Sequence, residues 1–291
     1  MGGSRSKGER KIYAMRMQQN KMQPMISVLM GIYYRREDTG LLHRSIRSIL
    51  AQTYSNLEMI ICDDGSTEAA QKVIQQYAGK DPRIHLVRNG NLITLPQKLN
   101  ACLHQAKGEF LARMDDDDYA RVDRLDKQMD FLLRHPNVSF VGSNVNLYCG
   151  GKAVGIRKLP ENPVIQDFLL VQPFVHPTLL FRREALLAVG GYSEDKHCLL
   201  CEDYDLLFRL YEYGYRGANM QERLLDYTIP QTAKGGRRMS HRWNESVTRW
   251  RHFYKLGLMP GALPFVMKPL VVGLLPEKLL SAIKKRMIYS G

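Results

Sequence analysis

Between residues 25 and 118, short apolar runs alternate with stretches whose apolar positions recur every third or fourth residue. That alternation predicts strand–helix–strand units and a mainly parallel sheet. Ile26 to Met30 forms a first strand stopped by Gly31, and Leu42, Ile46, Ile49 and Leu50 follow at helical spacing. Leu57 to Cys62 predicts a second strand that runs into Asp63-Asp64-Gly65-Ser66, where the glycine permits a turn and Ser66 or Thr67 can cap a helix reaching Tyr77. Ile84 to Val87 reads as a third strand. A helix from about Pro96 to Gln105 then leads into Glu109–Met114, a fourth strand that delivers the chain to Asp115-Asp116-Asp117-Asp118. Both acidic clusters therefore follow the carboxyl ends of strands, the edge at which open α/β sheets bind ligands.

After Asp118 the pattern loosens. Leu125, Met129, Leu132 and Leu133 mark a helix, Val138–Tyr148 and Thr178–Phe181 read as strands, Glu202–Tyr213 as an amphipathic helix and Leu224–Ile229 as a late strand. Beyond Pro230 the sequence turns basic and its apolar runs are broken by proline. The expected organisation is a disordered basic leader over 1–24, a catalytic α/β domain over 25–230 and a basic, partly apolar helical appendage over 231–291.

Charge sharpens that division. The 291-residue chain carries a net +13, which first suggests nucleic acid or an anionic membrane. Residues 1–24 hold six basic residues against one acidic, and residues 231–291 hold twelve against two, so the middle is close to neutral. A nucleic-acid reader would carry the excess on its folded body, and no nucleic-acid partner is expected. Five scattered cysteines are too few for a disulfide framework and point to a reducing compartment. Cys198-Leu-Leu-Cys201 has the spacing of half a zinc site without a second half, which favours ordinary buried thiols. The leader lacks the apolar core of a signal peptide, and Met1-Gly2 with Ser6 meets only the loose minimal pattern for myristoylation.

The aspartates carry the candidate chemistry. Two carboxylates about 5 Å apart at an effective dielectric near 20 repel by roughly 3 kcal/mol. A counter-cation relieves that cost, and oxygen-only ligands suit Mg²⁺ or Mn²⁺, held by one or two carboxylates and by substrate phosphate oxygens. The chain has neither GxxxxGK[ST] nor a GxGxxG after its first strand, which excludes a P-loop or a dinucleotide fold. A DxD phosphatase of the haloacid-dehalogenase type wants Thr or Val where Tyr119 stands, and a terpenoid synthase wants its aspartates on a helix.

Over about residues 25–230 the sequence resembles the family 2 glycosyltransferases of the GT-A fold, the type that builds bacterial capsule, O-antigen and related polysaccharides. The motifs occur in order: Ser27–Tyr33, Ser48–Tyr54, Ile61–Thr67, Lys107-Gly108-Glu109, Arg113–Asp118 with Arg124, Leu125 and Gln128 behind it, His176-Pro177-Thr178, Gly190-Gly191-Tyr192 and Glu202–Leu206. Tyr34 departs from the family, which usually has Asn there.

The resemblance implies a GT-A Rossmann-like fold and an inverting, Mn²⁺- or Mg²⁺-dependent glycosyltransferase that uses a nucleotide sugar, UDP-linked by preference. Asp63 would accept from the base over a platform of Ile32 and Tyr33. Asp115, Asp116 and Asp117 would face the ribose and the diphosphate, Asp117 and Asp115 holding the metal with Asp118 in support. Arg113 would pair with the diphosphate or balance the aspartates. Of Glu202 and Asp203, Asp203 is preferred as the base that deprotonates the acceptor hydroxyl, on a saccharide or lipid-linked acceptor. His176 would line the acceptor channel. Met239–Trp243 keeps only the Arg-Trp of the processive QxxRW motif, and His241 and Arg242 are candidates for the diphosphate or the acceptor. The apolar stretch Leu256–Leu275 is interrupted by Pro260, Pro264, Pro269 and Lys268, so it reads as interfacial rather than spanning. With the amphipathic, basic segment from Glu277 onward, it predicts a cytoplasmic protein held peripherally on an anionic membrane face. A DxD phosphohydrolase and a non-catalytic nucleotide- or lipid-binding module are the competing classes; the Glu202-Asp203 pair argues against the second.

Overall fold

The computed structural model describes residues 23–88, 90, 92, 94–229 and 239–275. The leader and its myristoylation pattern, apart from its last two residues, lie outside them. So does the segment from Glu277.

The first half follows the apolar pattern closely. β1 (Ile26–Ile32) pairs in parallel with β2 (Leu57–Asp63) and β4 (Phe110–Arg113), and β2 with β3 (Ile84–Val87), giving the order β3-β2-β1-β4. Every residue of β1, β2 and β4 is buried, because helices cover both faces of this sheet. On one face Val28 and Met30 pack with Leu42, Ile46 and Ile49 of α1 (Gly40–Leu50) and with Val73 and Ile74 of α2 (Glu68–Ala78). On the other, Leu29 and Ile60 pack with Leu99 and Cys102 of α3 (Leu95–Gln105). Thr67 caps α2 through Ala70 N–H at 3.4 Å, and Thr94 and Gln97 form a reciprocal capping box at the start of α3. Ser66 instead accepts from Tyr34 N–H at 2.9 Å, tying the ends of β1 and β2 together.

The second half mixes strand directions. It comprises β5 (Tyr119–Ala120), α4 (Arg124–Arg134), β6 (Phe140–Cys149), β7 (Lys152–Arg157), β8 (Leu180–Arg182), α5 (Arg183–Ala188), α6 (Glu202–Glu212), β9 (Gly217–Ile229), α7 (Met239–Lys255) and α8 (Leu263–Leu274). β8 joins the halves, antiparallel to both β4 and β6, and β6 runs parallel to β9 over its whole length. The late strand begins at Gly217, earlier than the apolar run from Leu224 implies. Gly217 faces Phe140, whose ring stands 2.2 Å from where a Cβ would sit, so only glycine allows the strands to meet there. β5, β7 and α5 are additions to the sequence reading.

The C-terminal helices belong to the core. Phe253 of α7 and Ala262 and Val266 beside and within α8 pack in the same cluster as Phe208 of α6. His252 locks the arrangement, with Nε2 2.9 Å from Asp205 Oδ1 and Nδ1 2.6 Å from Glu212 Oε1. Among the described residues no helix is long and apolar enough to cross a membrane.

Candidate active site

The carboxyl edge of β1, β2 and β4 builds one side of the site. Lys98 of α3 reaches into the turn from beneath, fully buried, and donates to the carbonyls of Ile32 at 2.6 Å and Asp64 at 2.8 Å. Burial lowers its pKa, and the surrounding acidic groups oppose that shift. Above it lies the exposed ring of Tyr33, with Lys98 Nζ 5.0 Å and the Arg35 guanidinium 5.4 Å from its centre. Gly65 adopts φ +94° beneath that ring, where a Cβ would stand 3.1 Å from it. Asp63, at the end of β2, is buried, with Oδ1 lacking a hydrogen-bond partner among the described residues and Oδ2 3.9 Å from Arg88. A buried carboxylate oxygen aimed at no protein donor is poised to accept from a ligand.

The four aspartates are held from several directions. Arg113, buried, donates to Asp115 Oδ1 and to the carbonyl of Met114. Burial alone would lower the Arg113 pKa; the Asp115 carboxylate more than offsets it. Arg124, also buried, donates to the Arg113 carbonyl at 2.9 Å and to Gln128 at 3.0 Å, while Gln128 reaches the carbonyls of Val141 and Thr178. Arg124 and Gln128 thus brace the strand end without touching the cavity. Burial pulls the Arg124 pKa down to about 9.

Asp118 accepts from Thr228 N–H at 2.7 Å, its Oδ2 is buried with no partner among the described residues, and Arg36 lies 3.4 Å from Asp117 Oδ2. Burial and then mutual repulsion push Asp116 up to about 7 and raise Asp117 and Asp118 as well. This all-oxygen, repelling set with accessible Asp115 and Asp117 side chains suits a hard divalent cation. Among the described residues no three His, Cys, Asp or Glu side chains converge as a complete ligand set. A substrate diphosphate would have to supply the remaining oxygens.

The second side is a cavity of about 450 Å³ whose wall includes Arg113, Asp115, His176, Glu202 and Asp203. Leu200, with φ +62° in a non-glycine residue, turns the chain into α6 so that Glu202 and Asp203 open the helix at the cavity wall. Glu202 is buried with Oε2 unpartnered; burial and then Asp203 push it up to about 7. Asp203 Oδ1 accepts from Tyr204 N–H at 2.8 Å. His176 is buried against Tyr192 OH at 2.9 Å, and burial followed by Arg113 holds its pKa well below the ordinary value, so the ring is neutral.

Sequence reasoning missed Arg157, Gln172, Tyr227 and Glu245, which line the same cavity. Arg157 donates to the Gln172 carbonyl at 2.8 Å. Ile32, Tyr33, Asp63, Asp116 and Asp117 lie along the carboxyl edge of the sheet rather than in the cavity wall. His241 and Arg242 are not brought to the cavity either: Arg242 donates to the Pro269 carbonyl at 3.3 Å and packs on Gly273 of α8.

Known proteins share the sequence pattern and the fold. The model of the family described as Glycosyl transferase family 2 matches residues 27–188. EpsE of Bacillus subtilis (strain 168), a glycosyltransferase by name, is 33% identical over 268 residues, covering 92% of this chain and 95% of its own. An Escherichia coli UDP-Gal:alpha-D-GlcNAc-diphosphoundecaprenol beta-1,3-galactosyltransferase is 30% identical over 243 residues, covering 80% of this chain and 84% of its own. Among solved structures, S. aureus TarS in complex with UDP-GlcNAc superposes with a TM-score of 0.65 at 15% identity, over 84% of this chain and 73% of that one. A mannosyltransferase from Pyrobaculum calidifontis, in complex with GDP-Man and Mn²⁺, does so with a TM-score of 0.56 at 20% identity, over 96% and 88%. These two share the GT-A fold, and the family model and the sequence relatives together establish that the chain is a glycosyltransferase belonging to glycosyl transferase family 2.

Proposed function

We propose that the protein transfers a sugar, with inversion, from a UDP-sugar to a hydroxyl of a saccharide or lipid-linked acceptor in the making of a cell-surface polysaccharide, in a metal-dependent reaction. The observation that carries this reading is the single cavity whose wall includes both Arg113 and Asp115 of the acidic strand end and the Glu202–Asp203 pair at the head of α6. A donor diphosphate at the first and an acceptor hydroxyl at the second would stand on opposite sides of one sugar.

Asp63 would accept from the imide of the base, with Tyr33 as the stacking surface. Asp117 and Asp115 would hold Mn²⁺ or Mg²⁺, which when bound neutralises charge developing on the departing nucleoside diphosphate. Arg113 keeps Asp115 in place. Asp203 is the base: it opens α6 at the cavity wall and would take the acceptor proton as the hydroxyl attacks. The UDP donor is supported by the nucleotide sugar named in the E. coli relative and by the TarS complex, and the metal by the Mn²⁺ complex of the mannosyltransferase. The lipid-linked acceptor is supported by that E. coli relative's name.

Incubating the protein with a panel of nucleotide sugars, with Mn²⁺ or with EDTA, tests the reading. Release of UDP from one donor, dependent on metal, is the expected result. Release of inorganic phosphate from a simple phosphoester instead would make it a phosphohydrolase.

A further inference from the structure

α7 and α8 form an antiparallel pair. Arg242 near the start of α7 reaches the end of α8, and Gly273 admits it where a Cβ would come within 2.5 Å of Arg242 Cδ. The outer side of this pair is apolar. Trp243, Trp250 and Tyr254 of α7 are 56%, 50% and 70% exposed and, at spacings of seven and four, lie on one helix face. Met267, Val271 and Leu274 of α8 are likewise exposed at spacings of four and three. On each helix the stripe follows the line of contact in the same rotational sense. In an antiparallel pair that puts both stripes on the same side.

We infer that this two-helix face is a docking surface for an anionic lipid bilayer, with Trp243, Trp250 and Tyr254 as its interfacial anchors. The occupant follows from side-chain type and charge. Trp and Tyr are the residues that settle at the boundary between headgroups and acyl chains. Glu245 is the one acidic residue in 239–275, and it lies on the opposite face of α7, in the cavity wall. Arg251 and Lys255, beside the aromatic stripe, are already paired with Asp195 at 3.3 Å and Glu212 at 3.6 Å, so the positive charge offered to an anionic surface is that of residues 276–291, which follow α8 and carry four basic residues against one acidic. Apolar insertion and attraction to an anionic surface then act together. Because Glu245 is on the far side of the same helix, the cavity would stand about one helix diameter, roughly 10 Å, from the bilayer surface.

The face differs from the attachment read in the sequence, where the segment after Leu256 carried it alone. Deleting the chain from Leu256 would also strip Ala262 and Val266 from the core, so substitution of exposed residues is the cleaner test. Trp243 and Trp250 are the only tryptophans in the chain, so intrinsic fluorescence of the full-length protein reports on this surface alone. Adding vesicles of phosphatidylcholine with phosphatidylglycerol should shift the emission to the blue and carry the protein upward in a flotation gradient, whereas pure phosphatidylcholine should do so more weakly. The combined W243A/W250A/Y254A variant, its fold checked by circular dichroism, should lose partitioning by about tenfold or more. Unchanged emission with no flotation at low salt overturns the inference. So does a triple variant that floats as well as the parent, which would leave attachment to the basic segment after Leu275. A lipid-free dimer that the same substitutions dissociate would overturn it too, giving the face to a second copy of the chain.

Discussion

The two halves of the sheet build their parts of the site by different means. In β3-β2-β1-β4 each functional group stands at or just past the end of the strand that delivers it: Ile32 ends β1, Asp63 ends β2, and Arg113 with the aspartates ends β4. In the half from β6 to α8 the cavity wall is gathered from distant segments: Arg157 from β7, His176 from the turn before β8, Glu202 and Asp203 from α6, Tyr227 from β9 and Glu245 from α7. A parallel sheet edge is a surface that changes little once its strands pair. On the proposed reading that edge would take the donor, and the wall assembled from five segments would face the acceptor.

If that division is right, damage to the donor edge should be the most severe. Asp117→Ala, or excess EDTA on the unaltered protein, should lower transfer by about 10³-fold, because charge on the leaving diphosphate is then uncompensated. Mn²⁺ or Mg²⁺ should restore the chelated enzyme but not the variant. Full activity in EDTA would sink the metal assignment.

On the other side, Asp203→Asn keeps shape and removes proton acceptance, so kcat should fall by about 10²-fold or more. Donor binding, followed by calorimetry with UDP and Mn²⁺, should persist, since Asp203 belongs to the other half. If Glu202→Gln produces that loss and Asp203→Asn does not, the base is Glu202. Arg157→Ala should be milder, about tenfold in kcat/KM, the scale of one charge-assisted hydrogen bond. A loss of UDP binding in that variant would move Arg157 to the donor side and blur the comparison.

The same contrast explains what could be read from the sequence. An apolar run followed by a polar cluster marks a strand end, so the strand-end positions of Asp63 and Asp115–Asp118 were legible from hydropathy alone, and the order of motifs pointed to His176, Glu202 and Asp203, which line the cavity. Arg157 has no such signal. It closes a short run, Lys152–Arg157, whose pairing with β6 depends on a turn at Gly150–Gly151, and only the folded hairpin carries its side chain to the cavity. Glu245 is one of many polar positions on a helix whose inner face is fixed by packing on α6. Arg242 shows the converse: a fragment of a motif suggested a ligand contact, and close packing at Gly273 holds the side chain against α8 instead.

A smaller effect should appear as pH dependence. Glu202 titrates near 7, raised first by burial. Its ionisation places a second negative charge beside Asp203 and makes that base stronger, so kcat should climb with pH through about 7. Glu202→Gln should flatten the climb, with a change of about threefold or so at neutral pH. The variant should also be the more stable protein in alkali. A carboxyl whose folded-state pKa is raised contributes stability below its unfolded value, and that contribution is lost as pH rises through the folded value. A Gln variant with an unaltered pH profile would remove Glu202 from the base's surroundings.

The smallest effect tests whether the C-terminal pair is part of the second half or separable from it. His252 of α7 is buried between Asp205 and Glu212 of α6, with Arg209 also 2.7 Å from Asp205, Lys255 3.6 Å from Glu212, and Phe208 stacked on the ring. Burial works against the charged imidazole, but the two carboxylates outweigh it and raise its pKa above the ordinary 6.5. A histidine raised in the folded state stabilises fully below its unfolded pKa and loses that contribution as pH rises through the folded one. Melting temperature should therefore decline above about pH 6.5, His252 adding its share to that of the raised carboxyls, at roughly 2–4 °C for each kcal/mol in a chain of this size. His252→Gln should lower the melting temperature at acidic pH and make the decline shallower. If unfolding shows a single transition that moves as a whole, α7 is cooperative with α6 and the cavity wall. A separate early transition that alone responds to pH would instead make the helix pair an appendage that docks on a body already folded.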